Sequence, residues 1–174
     1  RIVVRGNDAE QSEVFLDERL LLSPGLAVHE SYNMAVKMSD IARSCVLTAM
    51  GLMLSYDNDK AADVKTEETE LDMYEDKLGS FLVKLSASAL SDNDSADVSK
   101  LLHNIGDFER IGDHALNIRQ SAKEMHEKGL TFSEHATEEV NLLFSALNEI
   151  LTLAMDSFKD DDLDKAARVE PLEQ

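Results

Sequence analysis

The chain has 174 residues, of which 35 are acidic and 17 are basic, so its net charge is −18. Phosphate-binding surfaces need lysine and arginine, so this charge argues against a nucleic-acid partner, and it suits either cations or a plain soluble acidic surface. Two prolines and seven glycines are few breakers for this length and favour long helices, and the single cysteine excludes an intramolecular disulfide.

Residues 1–23 have no sustained apolar period and are predicted to form a linker or an arm on the helical body. Ser23 is able to cap a helix and Pro24 fits its first turn. Apolar residues at spacings of three and four then predict four long helices and a short, incomplete fifth, at residues 24–56, 60–89, 96–128, 133–158 and 163–173. The turns between them are short, which makes neighbouring helices antiparallel. The predicted fold is an all-α, up-down bundle.

Three residues of the predicted helices have expected local roles. Cys45 lies on the apolar face of the first helix and is expected to be a buried core thiol. Gly129 is a natural stop for the third helix, and Ser133 is a cap for the fourth.

No apolar run approaches the roughly 18 residues that a membrane span needs. The chain begins with arginine rather than methionine, so we expect it to be a fragment of a longer protein.

A weak internal repeat has a period of roughly 100 residues by our count along the printed chain. Ser55-Tyr56 followed by residues 59–64 recurs as Ser157-Phe158 followed by residues 164–169. By this reading the fourth helix repeats the first, and the segment after it begins a repeat of the second; coincidence between two acidic helix starts explains the match equally well. An unfinished repeat would leave one face of the fourth helix partly uncovered, so self-association is expected. That face contains Leu143, Phe144, Leu147 and Ile150.

Two Glu-x-x-x-Asp pairs are the main candidates for a site. On the third helix, Glu109 falls inside the apolar arc and Asp113 lies one turn on, at its edge. On the second helix, Glu68 and Asp72 have nearly the same angular offset from their apolar stripe, which also includes Glu67 and Glu75. Two such pairs on adjacent helices would bring four carboxylates together.

Clustered carboxylates repel each other, so this arrangement needs relief. One reading is a cation bound through oxygens. The other is a solvated acidic seam bridged by Arg110 or Arg119.

Motifs that would indicate catalysis are missing from the sequence. There is no glycine-rich phosphate loop, no nucleophile elbow and no Cys/His dyad at a readable spacing. His103 and His114 point away from the apolar arc, and no Glu-x-x-His occurs, which counts against a ferritin-like di-iron oxidase. We therefore expect a protein that is not an enzyme.

The segment from Glu109 to Ile118, ERIGDHALNI, resembles the signature of the PhoU domain. Its setting is similar too, with an upstream helix that contains ETELDMYE at residues 68–75 and an amphipathic helix before that. The resemblance runs from about Val28 to the C-terminus. More loosely, residues 15–19, followed by Ser23-Pro24, resemble the region that joins the membrane part of a sodium/phosphate cotransporter to its C-terminal PhoU-like domain.

The resemblance implies tandem three-helix repeats, with residues 24–130 as the first and residues 131–174 as the truncated start of the second. It implies iron or zinc bound by acidic motifs, and position by position the ligands here are Glu68, Asp72, Glu109 and Asp113. This chain departs from the full pattern, because the second motif-bearing helix is absent.

The implied role is regulation of phosphate uptake, generally by restraining it, at the cytoplasmic face of the membrane. The implied partners are a membrane phosphate transporter, a metal ion and further copies of the chain. Three alternatives stay open: a free-standing PhoU-type regulator, a structural helical interaction module with a solvated acidic seam, and a carboxylate-bridged metalloenzyme.

Overall fold

Long α-helices make up nearly all of the part of the chain that the computed structural model describes, residues 16–169. A short 3₁₀ helix comes first and five α-helices follow: Glu18–Leu22, then α1 (Pro24–Leu54), α2 (Asn58–Ser86), α3 (Asp92–Glu127), α4 (Glu134–Asp160) and α5 (Leu163–Ala166). No β-strand occurs within residues 16–169. The all-α helical bundle is confirmed.

Helices α2 and α3 begin two to four residues earlier than predicted, because polar residues that were assigned to turns form caps. Asp57 Oδ1 accepts a hydrogen bond from the Lys60 amide at 2.9 Å, and Ser91 Oγ accepts one from the Asp94 amide at 3.1 Å. These bonds satisfy backbone donors that the first turn of a helix leaves free. The residues after each cap therefore join the helix.

The other predicted helix ends have mixed outcomes. Ser133 caps α4 through the Ala136 amide, and Gly129 follows α3 at φ +63°, a conformation that glycine adopts without strain. Ser23 does precede α1, but its side chain makes no capping hydrogen bond. The fifth helix is shorter than predicted within residues 16–169, and its predicted end at 170–173 lies outside that range.

The part of the predicted arm that the structure describes, residues 16–23, lies on the helical body. Asp17 caps the 3₁₀ helix, and Glu18 forms an ion pair with Lys84 of α2. The rest of the predicted arm, residues 1–15, lies outside the described residues.

Helices α1, α2 and α3 pack together around a continuous apolar core. The α1–α2 and α2–α3 pairs are antiparallel, so α1 and α3 run in the same direction. Cys45 is buried where α1 meets α2, and its Sγ lies 3.5 Å from the Val64 carbonyl oxygen. Burial, together with repulsion from Glu67 and Glu68, raises the pKa of this thiol to about 12. The prediction of a buried core thiol is confirmed.

No helix within residues 16–169 is both long enough and apolar enough to cross a membrane.

Gly112 sets how closely α3 approaches α2. A Cβ at this position would lie 2.6 Å from Leu71 Cδ1, closer than real Cβ contacts come. Leu71 is fully buried, so a shift of its side chain would disturb the packing of the core around it. The absence of a side chain at Gly112 therefore allows Leu71 to pack directly against the α3 backbone.

Helix α4 packs on the three-helix body through one flank only. Its C-terminal end is held to α1, where Tyr32 Oη donates to the Phe158 and Lys159 carbonyl oxygens and where Lys159 pairs with Asp40. Phe144, Leu151 and Phe158 are partly buried against the core, and Met155 is fully buried. The adjacent flank is bare, and Leu143 there is 55% exposed.

The proposed repeat has a counterpart in this geometry. Asp162 Oδ1 accepts from the Lys165 amide at 3.1 Å, which matches the cap that Asp57 makes to Lys60. Aligning Ser55 with Ser157 pairs Cys45 of α1 with Leu147 of α4. In α1 this flank is covered by α2, whereas in α4 it is bare. The division at residues 130 and 131 into a complete and a truncated repeat stays a prediction.

We predict that Gly112→Ala lowers the free energy of unfolding by about 1 kcal/mol. Overpacking against Leu71 costs about 1–3 kcal/mol, and the better helix propensity of alanine offsets about 1 kcal/mol of that. The matched control is Gly106→Ala on the same helix, where a Cβ meets nothing within 4 Å. It is expected to stabilise the protein by about 0.5–1 kcal/mol. Urea denaturation measures both, and equal stabilisation by the two variants would contradict the close contact.

Candidate functional site: a carboxylate seam between α2 and α3

Five carboxylates lie along one edge of the α2–α3 contact, where their charges act on one another. We call this set the carboxylate seam: Glu68, Asp72 and Glu75 of α2, with Glu109 and Asp113 of α3. The same helix contact includes Gly112 against Leu71 and Gly79 against Ile105. It contains all four residues that the sequence predicted as ligands.

The seam runs from a buried end to an exposed edge. Glu68 is only 6% exposed, and its Oε2 accepts a hydrogen bond from Lys65 Nζ at 2.6 Å. Glu109 and Glu75 are half-buried, whereas Asp72 and Asp113 are exposed. The most buried carboxylate is therefore the one that has a cation beside it, as the cost of burying a charge requires.

Glu109 lies where the charges of both helices act on it. Its pKa is raised above 4.5, first by burial and then by repulsion from Asp113, Asp72 and Glu75. Glu109 is therefore the carboxylate of this edge on which repulsion from both helices acts.

Asp72 shows the same coupling from the α2 side. Its pKa is raised, first by burial, then by repulsion from Glu68 and from Asp113 across the helix contact, while Lys65 acts in the opposite direction. The two helices therefore form a single electrostatic unit along this edge. Each carboxylate destabilises its neighbours when all of them are ionised.

The predicted arginine bridges do not form. Arg110 Nη1 lies 3.8 Å from Asp107 on its own helix, and Arg119 Nε donates to the Ala61 carbonyl oxygen of α2. Lys65 supplies the ion pair to the seam instead. Its position at i−3 from Glu68 on the same helix allows a short contact that neither arginine makes.

The seam has the oxygen donors of a metal site, but its side chains are not grouped around a single point. Carboxylate oxygens suit hard cations as well as iron and zinc. Within residues 16–169, however, no three His, Cys, Asp or Glu side chains are grouped closely enough to hold a metal ion. In this arrangement Glu68, one of the four predicted ligands, is engaged by Lys65. Ligation by Glu68, Asp72, Glu109 and Asp113 stays a prediction.

The two glutamates that accompany the predicted pairs separate to opposite flanks of α2. Glu75 joins the seam, where it raises the pKa of Glu109. Glu67 instead faces α1, and its Oε1 accepts a hydrogen bond from Ser44 Oγ at 2.7 Å. Its Oε2 is buried and has no hydrogen-bond partner among residues 16–169. On the helical wheel of α2, Glu75 lies on the same side as Asp72. This position in the sequence could have predicted that Glu75 belongs to the site.

The histidines lie away from the seam. His103 and His114 are exposed, as predicted from their positions on α3. His126 stacks on Tyr56 at 4.7 Å between ring centroids, at the far end of the bundle. None of these three imidazoles contributes to the carboxylate edge.

A family model supplies independent information on this region. The model of the PhoU domain matches residues 35–122, which include most of α1, all of α2 and the whole seam. No curated protein matches this chain, and no solved structure does.

We predict that Glu109→Gln and Asp72→Asn each stabilise the protein at pH 7, by no more than about 1 kcal/mol given their exposure. A raised pKa in the folded state means that folding favours the protonated group, so the ionised form weakens the fold above that pKa. The benefit of each substitution therefore shrinks as the pH falls through the raised value, and it is gone below the ordinary values of 4.5 and 3.8.

Urea denaturation at a series of pH values measures this effect. Asp107→Asn is the matched control, because Asp107 is an exposed carboxylate of α3 outside the seam. A pH profile for Glu109→Gln that parallels the wild type would contradict the raised pKa.

Proposed function

Since this chain belongs to the PhoU domain family, which suggests a role in regulating phosphate transport, we propose that it is the regulatory domain of a sodium-dependent phosphate transporter. The domain acts by binding and not by turnover. It works at the cytoplasmic face of the membrane and modulates phosphate uptake by the transporter to which it is linked. A free-standing regulator of the same family is the alternative.

The observation that carries this proposal is the position of the family match. Residues 35–122 include both Glu-x-x-x-Asp pairs, and in the structure these pairs meet along one edge of the bundle. An edge of coupled carboxylates responds strongly to cations and protons, because either one relieves the repulsion between them. This is a suitable property for a domain that reports on conditions at a membrane.

Phosphate uptake by cells tests the role directly. The complete gene is expressed with Glu109→Gln and Asp113→Asn together, and uptake of labelled phosphate is compared with the wild type. Loss of restraint is expected to raise uptake, while Glu134→Gln with Glu138→Gln, an exposed pair on α4, leaves it unchanged. The upstream coding sequence separates the two forms of the proposal, because several membrane spans there favour the linked transporter. Unchanged uptake in the seam variant, at equal protein levels, would contradict the role.

We propose further that iron or zinc binds at Glu68, Asp72, Glu109 and Asp113, after rearrangement of the seam. A ligand that binds the native state raises the melting temperature, by an amount equivalent to about 2.7 kcal/mol at a hundredfold excess over Kd. Glu109→Ala together with Asp113→Ala is expected to abolish the rise and to stabilise the metal-free protein. The matched control is Glu134→Ala with Glu138→Ala, another pair four residues apart.

The same titration decides between this proposal and a structural interaction module. The pairing of Glu68 with Lys65 and the absence of a three-ligand group within residues 16–169 favour the module. A melting temperature that neither iron nor zinc changes would favour it as well, and would remove the metal from the proposal while leaving the regulatory role standing.

We also propose that the chain forms homo-oligomers through the bare flank of α4. Leu143 and Leu147 are 55% and 36% exposed there, and no other helix within residues 16–169 covers them. A second copy of the chain supplies the missing cover. Sedimentation at about 10–100 μM is expected to show self-association, a range that detects weak interfaces.

Leu143→Gln with Leu147→Gln is expected to shift the chain to monomer. Val83→Gln, which changes an exposed apolar residue of α2, is the matched control and leaves association unchanged. A wild-type chain that stays monomeric over this range would contradict the proposal.

A further inference from the structure

A cavity opens at the end of the bundle opposite the Tyr56–His126 stack. It has a volume of about 340 Å³ and lies between the first turns of α1, the first turns of α3 and the C-terminal end of α4. This volume falls at the lower end of the range for small-molecule sites. The cavity is remote from the carboxylate seam and shares no residue with it.

The floor and the rim of the cavity differ in chemistry. Val28 and Leu101 are buried, and with the rings of Tyr32 and Phe158 they form an apolar floor. The rim contains the carboxylates of Asp94, Asp97 and Asp161, together with Lys100 and His29.

The rim charges do not cancel. Lys100 forms an ion pair with Asp161, and Asp94 accepts a hydrogen bond from Ser91 Oγ at 2.8 Å. Asp97 has no hydrogen bond or ion pair with any residue of the range 16–169. An unpaired carboxylate above an apolar floor attracts a cation and repels an anion.

The walls of the cavity are held in place before any ligand arrives. Tyr32 Oη donates to the carbonyl oxygens of Phe158 and Lys159, at 3.0 and 2.7 Å, and so fixes the end of α4 over α1. The Phe158 ring packs on both Tyr32 and Phe108. Because the site is preformed, ligand binding does not carry the entropy cost of ordering these side chains.

Asp161 ends α4 at the rim of the cavity. Its φ of 50° is the left-handed conformation in which helices commonly end, and its amide donates to the Phe158 and Ser157 carbonyl oxygens. Its carboxylate forms the ion pair with Lys100, so that lysine is already engaged at the rim.

We propose that this cavity binds a small organic cation, with its ammonium group at Asp97 and its hydrocarbon part on the floor of Val28, Tyr32 and Phe158. An aromatic or alkyl amine has the required form. The floor contributes apolar burial and a ring face for the cation, while the carboxylate supplies a charge-assisted hydrogen bond. A phosphate or carboxylate ligand is disfavoured, because the rim is acidic.

The test is an NMR titration of the ¹⁵N-labelled chain with phenethylamine as the probe. Salt at about 0.15 M screens weak attraction to the acidic surface. Saturable shifts are expected in amides around the cavity. The neutral isostere 2-phenylethanol is expected to bind about tenfold more weakly, which corresponds to the loss of one charged hydrogen bond. The anion 3-phenylpropionate is expected not to bind.

Two variants and a control localise the binding. Asp97→Asn is expected to weaken phenethylamine binding about tenfold, while Asp107→Asn, the same change elsewhere on α3, leaves it unchanged. Gly25→Leu fills the cavity from a helical position where a Cβ meets nothing within 4 Å, so it abolishes binding in a folded protein. Non-saturable shifts spread over the acidic surface, or equal binding by both aspartate variants, would overturn the proposal.

Discussion

The close contact of Leu71 with the backbone of α3 at Gly112 is the packing constraint on which the carboxylate edge of this structure depends. A Cβ at Gly112 would come within 2.6 Å of the buried Leu71 side chain, so the absence of a side chain at Gly112 allows the two helices to approach as they do. The approach places Asp72 of α2 within electrostatic range of Glu109 and Asp113 of α3. Packing in the core thus determines how close the carboxylates of the two helices lie at the surface. The repulsion along this edge is the cost that accompanies a well-packed interior.

That repulsion gives the edge its capacity to respond. Carboxylates of both helices repel Glu109, whereas Lys65 already relieves the buried end at Glu68. Protons, cations or a basic partner surface each lower the energy of the remaining carboxylates. The uncovered flank of α4 is a second feature open to a partner, because Leu143 and Leu147 are 55% and 36% exposed there. Both features suit the regulatory role proposed for this domain.

Helical periodicity predicted the number and the type of the long helices, because each one buries a stripe that is regular over many turns. It placed the start of α3 four residues late, since Asp92 and its neighbours read equally well as a turn and as a capped first turn. The same wheel geometry placed Glu68, Asp72, Glu109 and Asp113 on facing edges. It could not show that Lys65 rather than an arginine relieves Glu68, nor that Gly112 meets Leu71, because both depend on contacts of a few ångströms. The cavity at Asp97 was not predictable, since its lining comes from three separate helices.

The most direct test of this account is a carbon-13 NMR titration of the side-chain carboxyl of Glu109, in the wild type and in Asp113→Asn. We expect a pKa above 4.5 for Glu109 in the wild type and a lower pKa in the variant, because a repelling charge is removed. The Asp107→Asn variant, with the same substitution outside the seam, is expected to titrate like the wild type. A Glu109 pKa at or below 4.5 that does not respond to Asp113→Asn would contradict the electrostatic coupling on which the account depends.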